Sequence, residues 1–205
     1  ETVLLDSSIN LENDLWTPIG PNADASNKFK GTFDGQNYTI YNLKVAQGAG
    51  YHAAGLFGAL GKGTIKNLKI DGAEISNLSS GAATDNGTAV VAGSIYTEGV
   101  IDNVQVFNAT VNGNRYVGGI AGYVYGSITN CRVEGTEIIA DFDDLTGSWD
   151  NADKVGGIAG YFPDGAKYVV NGNVVKDTTV KGYRDVGGVV GYARDSITNN
   201  TVENV

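Results

Sequence analysis

The sequence predicts an all-β fold, a parallel β-solenoid of about six coils with roughly three short strands in each. Three observations carry this. A triplet of the form Ile/Val-x-Asn recurs six times, and a pair of small residues followed by an apolar one recurs beside it. No stretch shows a capped helical period. Glycine, at 30 of 205 residues, is about twice as frequent as usual, as a fold rich in tight bends requires.

The triplet reads Ile40-Tyr41-Asn42, Ile65-Lys66-Asn67, Ile101-Asp102-Asn103, Ile128-Thr129-Asn130, Val169-Val170-Asn171 and Ile197-Thr198-Asn199. Three residues after each Asn stands a β-branched residue: Val45, Ile70, Val106, Val133, Val174 and Val202. The Asn-to-Asn spacings are 25, 36, 27, 41 and 28 residues, so the unit is 25–28 residues and two units carry insertions. Alternation slips by one at each Asn. A bend explains the slip, and Asn tolerates the left-handed conformation there better than most residues. The six Asn are expected to stack in one interior or corner column and to form an amide ladder.

The second element is Ala54-Gly55-Leu56, Gly118-Gly119-Ile120, Gly156-Gly157-Ile158 and Gly187-Gly188-Val189, with Ala92-Gly93 as a degenerate copy. Three copies run on to Gly122-Tyr123, Gly160-Tyr161 and Gly191-Tyr192. In the clearest unit the strands are expected near 117–124, 127–133 and 136–140. Strands of this length without obligatory hairpin turns suggest a coil whose equivalent residues stack at about one strand spacing, ~4.8 Å. Cys131, the only cysteine, is then read as a small buried hydrophobe in the core column of Leu43 and Leu68.

With this pattern in hand, Gly55-Leu56-Phe57-Gly58 followed by Gly63-Thr64-Ile65-Lys66-Asn67 resembles the GLUG motif of bacterial surface proteins. Gly119-Ile120-Ala121-Gly122 with Gly126-Ser127-Ile128-Thr129-Asn130 is nearly as close, and Phe29 to Leu43 resembles the segment that often introduces such repeats. The resemblance covers residues 16–203. It implies a right-handed β-helix and a large, extracellular or cell-surface, adhesin-like bacterial protein. Some members are labelled immunoglobulin A1 protease. It implies no catalytic residue at any matched position.

Residues 1–28 lack both elements and read as a cap, leaving 29–205 as the repeats. The last unit stops at Val205 in mid-repeat, which suggests a fragment of a longer protein or an edge that meets a partner. Asn77–Gly87 reads as a small polar loop. Asp141–Asp153 carries five aspartates with Phe142 and Trp149. Calcium takes six to eight oxygens, but the spacing matches no known calcium loop, so the segment reads as a solvated loop and no metal is assigned.

Composition narrows the function. The formal charge is −9, and no Lys/Arg cluster occurs, which excludes a phosphate-coating nucleic-acid protein. No run of about 18 apolar residues occurs, so no spanning helix is expected. His52 is the only histidine, too few for a two-histidine zinc site, and it stands in a varied, outward-reading column with Tyr116, Lys154 and Asp185. Among carboxylates Asp71, Asp102 and Glu134, only Asp71 and Glu134 share a repeat position, two coils apart, with no arginine column beside them. The chain is therefore read as a non-catalytic binding or adhesion module without a cofactor, contacting a glycan or a protein on another surface. The competing reading is a polysaccharide-processing β-helix enzyme. Contact candidates are Tyr123, Tyr161 and Tyr192, with Phe57, Tyr125 and Phe162 adding aromatic area, and Phe142 and Trp149 on the acidic loop. A stacked tyrosine column also serves to cover a glycine-rich strand.

Overall fold

The structure, a computed structural model, describes residues 1–21, 27–47, 53–77, 87–140, 154–163 and 167–205. Among them all regular structure is β-strand, and every strand pairing is parallel. The strands form sheets of fifteen, five and four strands. The chain visits these in a repeating order. Tyr116–Gly118 lies in the four-stranded sheet, Ala121–Thr129 and Arg132–Glu134 in the fifteen-stranded one, and Glu137–Ala140 in the five-stranded one. Lys154–Gly156 then returns to the four-stranded sheet, directly beside Tyr116–Gly118. The strands expected at 117–124 and 127–133 are thus cut differently. The break falls at Gly119-Ile120, and Ala121–Thr129 runs through without interruption.

Equivalent residues stack pass upon pass. Phe33, Ile65, Ile101, Ile128, Val170 and Ile197 form one column in strict register. Alternation places all but the exposed Ile197 inside: Ala121–Thr129 buries Val124, Gly126 and Ile128 and leaves Tyr123, Tyr125, Ser127 and Thr129 part-exposed. β-Branched residues suit such half-buried pleats. Large rings pack beside this column, where Phe57 lies 5.0 Å from Phe29 and 5.5 Å from Phe33 between ring centroids.

The asparagine column stands at a corner, and it holds four of the six expected members. Asn67, Asn103, Asn130 and Asn199 have φ between 51° and 55°, and the flanking registers set them one above another. Asn171 lies one residue short, opposite Thr129 and Thr198, and Gly172 takes its corner position with φ 70°. The cause is Val170, which fills the buried column and pushes Asn171 outward. Asn171 instead accepts hydrogen bonds from Asn199 Nδ2 (2.8 Å) and Thr198 Oγ1 (2.9 Å). Asp102 does the same for Asn130 (2.8 Å) and Thr129 (2.6 Å). Asp34 serves Asn67 in like manner, and the Gln36 backbone N–H and the Asn67 amide hold its carboxyl below the usual carboxylate range.

Asn42 belongs to a second corner. The register Ile40–Ile70 sets it beside Gly72, and the column continues through Asn108, Gly135, Asp177 and Asn204. All six have φ between 46° and 73°. Asn130→Ala is expected to cost about 1–2 kcal/mol, because alanine pays the left-handed penalty and loses the bond to Asp102. Asn130→Gly should recover most of it, as Gly172 does in the same column. Thermal melts check this, and an alanine variant as stable as the parent would defeat the corner argument.

Cys131 is buried in the column of Leu68 and Val104, next to the register Lys69–Gln105–Arg132. Leu43 stands in another column, one residue before the register Lys44–Glu74–Thr110–Glu137, with Ala73, Ala109 and Thr136. Above Cys131 the column turns polar: Asn173 Oδ1 accepts from the Cys131 N–H (2.8 Å), and Asn173 Nδ2 donates to Asn200 Oδ1 (2.9 Å). Burial pushes the Cys131 thiol up to about 12. Since the thiolate is the reactive form, iodoacetamide at neutral pH should label Cys131 only after the chain is unfolded in denaturant. Rapid labelling of the native protein, read by mass, would contradict this burial.

The N-terminal residues join the same parallel sheet pairing. Thr2–Leu4 pairs with Thr32–Asp34, Ile9–Asn10 with Thr39–Tyr41, and single bridges join Leu15 to Lys44 and Ile19 to Phe57. Trp16 Nε1 donates to the Leu56 carbonyl (3.0 Å). These residues show no repeat element because the pairing is made by backbone. Val3, Leu4, Ile9 and Leu15 are exposed, while Leu5 is buried in the core and Leu11, Trp16 and Ile19 pack against it.

Glycines mark where sheets meet. A Cβ on Gly160 would lie 2.5 Å from Val117 N and 2.6 Å from Lys154 O, so the strand leaving the bend touches backbone of the four-stranded sheet. The degenerate copy sits three residues earlier than its sequence suggests. Ala92 pairs with Ala121, so Ala89 and Val90 occupy the glycine-pair positions.

Candidate functional site

The strongest concentration of side chains with binding chemistry is a tyrosine face beside this junction. Tyr123, Tyr161 and Tyr192 pair in register on adjacent strands. Below them the same column holds Ser94 and Ala59, both fully buried. Each tyrosine follows a glycine of the junction and precedes an inward residue, so alternation turns the ring outward. The rings are half-buried. Their centroids step 5.5 Å from Tyr123 to Tyr161 and 5.3 Å from Tyr161 to Tyr192, with interplanar angles of 37° and 29°.

Residues before the bend complete the face. Tyr116, on the four-stranded sheet, stacks on Tyr161 at 4.9 Å and 17°. Tyr125 lies 5.6 Å from Tyr123. Lys154 pairs with Tyr116 in the ladder, and its Nζ stands 5.6 Å from the Tyr116 and Tyr161 rings and 5.7 Å from that of Tyr192. Its side chain is only 12% exposed, with Asp185 Oδ2 at 3.8 Å. Arg115 lies 5.2 Å over Tyr116, and Arg194 lies 5.6 Å over Tyr192 while its Nε donates to the Tyr192 hydroxyl (2.6 Å). Cations over aromatic faces are attracted by the ring quadrupole. Burial, and then the neighbouring Tyr192, raise the Tyr161 phenol above its ordinary value, so it stays a neutral hydrogen-bond donor at physiological pH.

The sequence places the three tyrosines in one column, gives no role to Arg115 and Arg194, and shows Tyr116 and Lys154 only as members of a varied, outward column. The signal available was the placement of Lys154 and Tyr116 two residues before glycine pairs. Phe57 and Phe162 do not extend the face, because both are fully buried at inward positions of their strands. His52, Phe142, Trp149 and the five loop aspartates lie outside the described residues.

The carboxylate candidates are engaged elsewhere. Asp71 and Glu134 share a column, but Phe107 lies between them. Asp71 Oδ1 accepts from Asn108 Nδ2 (2.8 Å), and Glu134 is held by Arg132 at 2.6 Å and faces Lys176 at 3.9 Å. Asp102 serves the asparagine corner. Among the described residues no cluster of His, Cys, Asp and Glu could hold a metal ion.

The family model for the GLUG motif matches residues 113–139, a stretch that begins in one five-stranded-sheet strand and ends in the next. This chain carries a GLUG motif. The GLUG stretch supplies Arg115, Tyr116, Tyr123 and Tyr125 of the tyrosine face. Halomucin from Haloquadratum walsbyi is 42% identical to the GLUG-bearing chain over 106 residues, which take in 51% of this chain and 1% of Halomucin. The chain thus spans about one hundredth of that relative's length. A crystal structure from Bacteroides ovatus, of a protein provisionally assigned as an immunoglobulin A1 protease, shares the fold with a TM-score of 0.60 at 20% identity. It covers 99% of the GLUG chain and 70% of its own.

Proposed function

We propose that this chain is a right-handed parallel β-helix of about six coils, closed at one end by residues 1–28, and that it works as a non-catalytic binding module of an extracellular or cell-surface protein. The in-register ladder Tyr123–Tyr161–Tyr192, flanked by Lys154, Arg115 and Arg194, carries this reading. Tyrosine joins an apolar body to a polar tip, and a row of them offers repeated hydrogen-bonding positions to a repeating ligand. A glycan on a neighbouring surface is the partner that fits. Phe142 and Trp149, on the segment leading in sequence to Lys154, are added as contact candidates. The GLUG motif and the likeness to Halomucin support a surface-associated role. The separation of Asp71 from Glu134 by Phe107, and their engagement with Asn108 and Arg132, speak against a paired-carboxylate hydrolase. A glycan array probed with the purified chain should give binding that falls at least tenfold in Tyr161→Ala and Tyr192→Ala. No glycan bound by a folded parent chain would sink this reading.

A further inference from the structure

We infer that the tyrosine face selects acidic glycans, chains whose sugars carry carboxylate or sulfate groups. The inference rests on the proposed glycan-binding reading and adds the ligand's charge. The chain carries −9 overall with only 14 basic residues, yet Arg115, Lys154 and Arg194 all lie against three connected rings. Among the described residues, Asp185 Oδ2 lies 3.8 Å from Lys154 Nζ. Long-range repulsion from the acidic chain is screened beyond a Debye length of about 8 Å at physiological salt, so a local basic patch can hold an anion that the whole protein would repel. Arg194 is exposed and Arg115 half-buried, so both reach the surface.

The spacing separates a sugar chain from an acidic peptide. An extended peptide repeats its same-side side chains every ~6.6 Å. The rings step by 5.5 and 5.3 Å, close to the advance per residue of an extended β-linked pyranose chain. Successive sugars can therefore keep step with successive tyrosines. Their acidic groups then meet the two guanidinium groups, which bind planar oxyanions with two parallel hydrogen bonds.

The test measures binding of the whole chain to immobilised polymannuronate (a β-linked polycarboxylate), chondroitin sulfate, neutral dextran and poly-aspartate in 0.15 M NaCl. The parent should bind one or both acidic polysaccharides at least tenfold more tightly than dextran, and Arg115→Gln/Arg194→Gln should lose about tenfold. Binding to polymannuronate alone assigns carboxylate, and binding to chondroitin sulfate in preference assigns sulfate. Equal binding of dextran, unchanged in the double variant, would overturn the acidic selectivity while leaving glycan binding standing. Binding of poly-aspartate as tight as that of the acidic glycans would replace the sugar with an acidic peptide. Binding to none of the four, with no hit on the glycan array, would remove both readings. Circular dichroism melts of the double variant confirm folding, and Arg115→Lys/Arg194→Lys should recover part of the binding if charge is what matters.

Discussion

Gly160→Ala should destabilise the chain by about 3 kcal/mol, at the upper end of overpacking costs, and lower the midpoint of thermal unfolding by roughly 6–12 °C for a domain of this size. Gly160 does not have a positive φ, so the cost is steric. Its new Cβ would press on Val117 N and Lys154 O, which are backbone atoms of two adjacent strands. Neither can move without parting the four-stranded sheet from its neighbour. Gly188→Ala is the natural comparison. There the added carbon meets only the Val202 methyl groups, at 3.0 and 3.4 Å, on an exposed final strand. That variant should lose less than about 1 kcal/mol. Equal melting of the two variants would mean that the junction is not close-packed.

Phe57→Ala should cost about 3–5 kcal/mol, the range for deleting a buried ring. Phe57 is fully buried and is the ring against which Phe29 and Phe33 pack, so its loss opens a cavity that two flanking passes line. Phe57→Leu, which keeps most of the volume, should cost markedly less. Urea unfolding followed by Trp16 fluorescence, in a Trp149→Phe background that removes the second tryptophan, would read this well, since Trp16 donates to the Leu56 carbonyl next door. A Phe57→Ala midpoint unchanged from the parent would show that the N-terminal passes contribute little to the cooperative unit.

The sheets were legible where side chains must alternate. Ile65, Ile101 and Ile128 are inward because a polar group buried there without a partner is costly, and a two-residue period reveals that directly. The corners were less legible. Position alone cannot tell whether Asn171 or Gly172 turns the chain, since both tolerate a positive φ, and burial of Val170 decides it. The second corner escaped notice because Asn, Gly and Asp all satisfy it, so Asn42, Gly72, Asn108 and Asp177 share a conformation and no letter. Asn173, the buried amide above Cys131, stood in an apolar column for the same reason: its polar atoms find partners only across passes. The tyrosine face was legible in part. Tyr123, Tyr161 and Tyr192 repeat after a glycine, whereas Lys154 reaches Tyr192 from 38 residues away in sequence.

The uniform parallel pairing also sets how the molecule yields to load. Each pass bonds only to the passes before and after it, and those bonds point from one end of the stack to the other. Tension applied between Glu1 and Val205 therefore opens ladder bonds in sequence and never shears a whole sheet at once. The strands that carry the exposed Ile197 and Val202, like those that carry Val3 and Leu4, have less buried surface to lose than the inner strands, so their ladders are expected to part at a lower force. A chain paired in this way is expected to lengthen stepwise under pull, one ladder after another.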